Sequence, residues 1–106
     1  MAYDRVITAC DRATGAESSG TAGWRQTFHE ETVRAQAILL ELMSVLQVNH
    51  SDPDVAEMSA QLASLYQFVI DELVRANLAK TSSALVGARS TIDGLRDAWV
   101  QGVLGR

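Results

Sequence analysis

Apolar residues recur at steps of three and four along most of the chain, the mark of helices that each bury one side. Leu85, Ala88, Ile92, Leu95, Trp99 and Val103 form the cleanest stripe and predict a helix opening near Thr81 to Ser83 and closing toward Gly102 and Gly105. Upstream, Val55, Met58, Leu62, Leu65, Val69 and Ala76 share one face of a helix from Pro53 to about Ala79, with Ala63, Tyr66, Ile70 and Val74 on the face beside it. Asp52 before Pro53 reads as an N-cap followed by proline at the first helical position, and it ends a turn over Asn49 to Pro53. Another helix, from Trp24–Thr27 to about Val48, carries Phe28, Ala35, Ile38, Leu39, Leu42 and Leu46 on one stripe and Val33, Ala37, Leu40 and Met43 on a second. So wide an apolar sector predicts a helix that is central in a bundle or that also serves a partner.

At the start of the chain Tyr3, Val6, Ile7 and Cys10 predict a short helix from Ala2 to about Ala13. Three glycines with Ser18, Ser19 and Thr21 then make residues 14–24 a flexible connection. Short links after the second and third helices force antiparallel neighbours. The fold expected is all-α, an antiparallel four-helix bundle with a short first helix, in one domain over residues 1–106.

Composition narrows this picture without redirecting it. At 106 residues with 6% aromatics and one proline, the chain suits one helical domain better than a sandwich or barrel. Nine basic residues against thirteen acidic ones give a net charge of -4, so no global field draws nucleic acid or an anionic membrane toward it. Cys10 is the sole cysteine, which excludes an internal disulfide. Ile7-Thr8-Ala9-Cys10 imitates a lipoprotein cleavage box, but Asp4 and Arg5 stand where a long apolar run is needed. Glu41 interrupts the most apolar stretch, Ala37 to Leu46, well below a membrane-spanning length. A soluble, cytoplasmic protein without membrane insertion is expected.

Catalytic and metal chemistry find no foothold in the pattern. His29-Glu30 opens a zincin-like motif, but Val33 stands where the second histidine belongs, and neither His29 nor His50 follows a glutamate by three residues. Gly15 and Gly20 have the spacing of a phosphate loop, yet Thr21 and Ala22 follow in place of Lys and Ser/Thr. Asp71 and Glu72 are adjacent and diverge on a helix, and Ser51, Ser59 and Ser64 have no base at a recognisable spacing. Neither an enzyme nor a bound cofactor or metal is expected.

Leu65-Tyr66-Gln67-Phe68, then Leu73, Arg75-Ala76-Asn77 and Leu95-Arg96-Asp97-Ala98-Trp99 stand in an order that resembles the flagellar secretion chaperone FliS family. Arg34-Ala35-Gln36 with Ile38, Leu39, Glu41 and Leu42, and Ala2-Tyr3-Asp4, extend the resemblance over most of the chain. It implies a cytoplasmic helical bundle that binds the disordered C-terminal segment of flagellin, prevents premature polymerisation and keeps it competent for type III export. The stretch that usually precedes the family's first helix and covers a client groove is expected to be missing here, and the first connection differs from the family's charged loop. A different flagellar client or a regulatory role is the alternative that these departures leave open.

The residues expected to contact a partner are Val33, Leu40 and Met43 on the second helix and Tyr66, Ile70 and Val74 on the third. Their stripes would equally serve a core, and Tyr66 and Ile70 suit core packing well. Leu65, Leu73, Leu95 and Trp99 are expected to face inward, and Asn77 to brace the end of the third helix. The alternative to client capture is a self-associating bundle whose excess apolar surface closes a homodimer.

Overall fold

The computed structural model describes residues 2–46 and 51–104, with side chains through residue 101. Its helices are α1 (Ala2–Ser19), α2 (Trp24–Leu46), α3 (Pro53–Ala79) and α4 (Leu85–Leu104), and a 3-10 turn (Ser82–Ala84) leads into α4. They form the antiparallel four-helix bundle that the periodicity predicts. α2 packs between α1 and α3, and α4 closes the ring by packing against both α3 and α1. The end of α2 near Val48, the turn at Asn49 and His50, and Gly105 lie outside the described residues.

The boundary before α3 forms as its residues dictate. Asp52 is extended, at φ -85° and ψ 119°, and its Oδ1 accepts the Asp54 N–H at 2.9 Å while Pro53 starts the helix. At the other end Lys80 takes the left-handed conformation, φ 53°, which an L side chain rarely adopts. Its backbone N–H returns to the Ala76 carbonyl, and its ammonium donates to both the carbonyl and the Oδ1 of Asn77. Asn77 thus braces the helix end as expected, and its amide also reaches His29 Nδ1 on α2 at 2.9 Å. Thr81 caps the 3-10 turn rather than α4 itself, accepting the Ser83 N–H.

The first helix differs from the expectation. Residues 14–24 do not form one flexible connection: α1 continues through Thr14 and Gly15 to Ser19, and only 20–23 lie between α1 and α2. A glycine inside a helix costs about 1 kcal/mol relative to alanine, but tertiary contacts hold this turn. Ala13 is fully buried, and the Glu17 carboxylate accepts the Ser82 N–H beside the start of α4. The helix stops where glycine makes stopping easy, with Gly20 at φ 61° and its N–H on the Ala16 carbonyl. Even so, α1 remains the shortest of the four, 18 residues against 27 in α3.

One core joins all four helices. Val6, Cys10 and Ala13 meet Phe28, Ala35 and Leu39, and Val69, Leu73, Leu85 and Ile92 complete the interior. Buried Thr32 satisfies its hydroxyl on the Phe28 and His29 carbonyls of its own helix, 3.0 Å from each. The polar face of α4 is partly solvent-exposed and pairs with α1. Arg89 pairs with Asp11 at 2.7 Å, not with Asp93 one turn along α4, and Arg96 pairs with Asp4 at 3.1 Å. These partners come from another helix, so spacing along α4 could not reveal them. They also fix the register of α1 against α4 as antiparallel, since Asp4 and Asp11 ascend while Arg96 and Arg89 descend.

Candidate partner-binding surface

The first turn of α1 is pinned level with two neighbours. The Tyr3 hydroxyl bonds the Tyr66 hydroxyl of α3 across the core, and Asp4 holds Arg96 of α4. From that level α3 extends back from Leu65 to Pro53, about 20 Å at ~1.5 Å per residue, and α4 runs on from Asp97 to Leu104. Past Ala2, three helices of the described chain continue where there were four. Several apolar side chains on these arcs are exposed among the described residues.

Exposure of individual side chains follows from that geometry. Ile92 is fully buried, yet Trp99, two turns further along the same stripe, is 55% exposed. On α3, Val69 is buried whereas Met58 is 63% exposed and Val55 is exposed as well. Val45 near the end of α2 and Val100 on α4 are also exposed, while Leu42, Leu46, Leu62 and Leu95 are half-covered against the core. The expectation that Trp99 and Leu65 face inward is corrected here: both are exposed, Trp99 beyond the level at which Asp4 holds Arg96 and Leu65 at the outer edge of α3. Leu73 does lie in the core, and Leu95 packs against it.

The six residues singled out from the sequence divide between surface and interior. His29 meets Asn77 across the α2/α3 seam, and moving one turn at a time along these antiparallel helices sets Val33 near Val74 and Met43 near Ala63. Val33, Leu40 and Val74 are exposed on this seam, Met43 is half-buried, and Ile70 lies nearly covered at its floor. Tyr66 turns away to Tyr3 and is buried; its burial and that hydrogen bond push its phenol well above the usual tyrosine range. The seam runs toward the three-helix end, so Leu40 and Met43 lead toward Leu46 and Val55. Val45, Val55, Met58, Trp99 and Val100 were not singled out from the sequence as a surface. The spacing of Val55, Met58 and Trp99 is that of core positions, so spacing alone gave no signal that they are exposed.

The family model described as "Flagellar protein FliS" matches residues 1–104. The chain belongs to the FliS family. It is also similar to the flagellar secretion chaperone FliS of Bacillus subtilis (strain 168), 29% identical over 75 residues, which are 71% of this chain and 52% of that protein. The chain thus spans about half the length of the curated relative it matches. Family membership agrees with the all-helical bundle, and the resemblance carried by the LYQF, RAN and LRDAW stretches is thereby established.

No helix of the described residues is long and apolar enough to cross a membrane. Among the same residues, no group of three or more His, Cys, Asp and Glu side chains could hold a metal ion. Cys10 is buried between α1 and α4, and burial, helped by neighbouring Asp11, pushes its thiol up to about 11. At neutral pH that thiol is protonated and shielded, so it is a packing residue here.

Proposed function

We propose that this protein is a cytoplasmic flagellar export chaperone that captures the disordered C-terminal segment of flagellin, blocks its premature polymerisation and keeps it competent for type III export. The observation that carries this reading is the three-helix end, where Met58, Trp99 and Val45 lie exposed beside half-covered core residues. An amphipathic client helix laid there covers these side chains, and a continuing segment follows the α2/α3 seam over Leu40, Val33 and Val74. Magnitudes favour capture. Each large apolar side chain buried contributes about 1.5 to 3 kcal/mol, and several of them together exceed the roughly 2 to 5 kcal/mol that ordering a disordered segment costs. A second copy of the chain is the competing occupant.

Titration of a flagellin C-terminal peptide, followed by calorimetry and circular dichroism, tests the reading. Tight 1:1 binding with a gain in helicity is expected. Leu40→Asp and Met58→Asp should each weaken binding by at least about tenfold, roughly 1.4 kcal/mol, while the free protein keeps its helical signal, because both side chains are exposed. Absence of binding to any flagellar client would overturn the proposal. So would a concentration-independent dimer in sedimentation that buries Trp99.

A further inference from the structure

The two flanks of α1 are treated differently by the rest of the molecule. Its acidic flank, Asp4 and Asp11, is paired with Arg96 and Arg89 of α4. Its basic flank, Arg5 and Arg12, borders a groove of about 310 Å³ between α1 and α2, floored by Thr8 and Ala9 and walled opposite by Glu31 and Arg34. Every other cation among the described side chains has a partner. Arg25 lies over the Trp24 ring, Arg34 and Arg75 pair with glutamates three residues away, and Lys80 holds Asn77. Arg5 and Arg12 have none, and both face the same groove.

The groove's own carboxylates do not neutralise them. Asp4 is engaged by Arg96, and the buried Glu31 gives Oε1 to Arg34 at 3.3 Å. Its Oε2 is without a hydrogen-bond donor, so a segment filling the groove must also bring an N–H or O–H beside its carboxylates. Seven residues separate Arg5 from Arg12, a rise of about 10.5 Å, which is two turns along one face.

We propose that this groove docks an acidic helical segment of a partner protein, with carboxylates seven residues apart lying along α1 against Arg5 and Arg12 and one near Arg34. Charge complementarity selects this partner. The groove offers guanidinium forks suited to carboxylates, whereas the chain's overall net charge of -4 disfavours a long polyanion or an extended anionic membrane, which meet the whole surface rather than the groove. The groove and the α2/α3 seam occupy opposite sides of α2, so an acidic partner and an apolar client can be held together. This inference does not depend on the client being flagellin.

The test uses the full chain and a capped alanine-based peptide with glutamates seven apart, beside the same peptide with glutamines. Isothermal titration should show the glutamate peptide binding about tenfold or more tightly than the glutamine one, with affinity falling as salt rises. The double variant Arg5→Gln/Arg12→Gln, verified as folded by circular dichroism, should lose that preference, and Arg75→Gln should keep it. The flagellin peptide should leave glutamate-peptide binding unchanged. No binding of the glutamate peptide, equal binding of both peptides, or an unaffected double variant would each overturn the assignment. Tighter binding of duplex DNA or of anionic phospholipid vesicles at equal charge concentration would overturn it too.

Discussion

The closed part of the bundle and its three-helix end are made of the same kinds of residue on the same helical stripes. Ile92 and Trp99 lie two turns apart on one face of α4, and Val69 and Met58 share the inward arc of α3. One of each pair is fully buried and the other mostly exposed. Composition does not separate them. What differs is their level relative to the described residues of α1, whose first turn is fastened at Tyr66 and Arg96. An apolar stripe states that a helix wants a neighbour; the lengths of the neighbours decide where it has one.

The largest expected effect lies in the closed part. Leu73→Ala removes a side chain packed on all sides, and should lower the unfolding free energy by about 2 to 5 kcal/mol in denaturant titrations. A loss as small as that of a surface substitution would abolish the distinction between the two regions. Next comes pH. The Cys10 thiol ordinarily titrates near 9.0 and is raised to about 11 in the fold, so the folded state holds this proton more tightly than the unfolded chain. Its contribution is complete below pH about 9 and is lost as pH rises through about 11, roughly 2 to 3 kcal/mol in all. Cys10→Ala should flatten that part of the stability–pH curve; an unchanged alkaline loss would mean that the thiol is not shielded.

Smaller effects belong to the open end. Asp52→Ala should cost about 1 kcal/mol by freeing the Asp54 N–H, and hydrogen exchange should quicken in the first turns of α3 while amides around Val69 stay protected. Equal quickening throughout α3 would show that the two regions unfold as one unit. Met58→Ala should change the stability of the free protein by no more than about 0.5 kcal/mol, yet weaken client binding. A large loss of stability there would place Met58 in a closed core.

Much of this architecture was legible in the spacing of apolar residues. The α3 start at Asp52-Pro53, the inward stripes of α2 and α4, and the bracing role of Asn77 follow from local chemistry that a sequence displays directly. What escaped depended on contacts between distant residues. Glu17 bonding the Ser82 N–H carries α1 across Gly15, where local propensity favours a break, and Asp11 takes Arg89 from another helix, a pairing that no spacing along α4 displays. The candidate surface was visible as an excess of apolar positions, and Val33, Leu40 and Val74 are indeed exposed. Its larger part was hidden because Trp99, Met58 and Val55 carry the pattern of core residues. Their level relative to α1 is set by hydrogen bonds from its first turn to helices far along the chain, which spacing does not display.

Trp99 supplies the most direct measurement of the central claim, that the three-helix end receives the client. In a Trp24→Phe variant Trp99 is the sole tryptophan, and its emission and accessibility to iodide can be followed as a flagellin C-terminal peptide is added. The account predicts a blue shift and loss of iodide quenching that saturate at 1:1. Emission and quenching that stay unchanged at saturating peptide would contradict it.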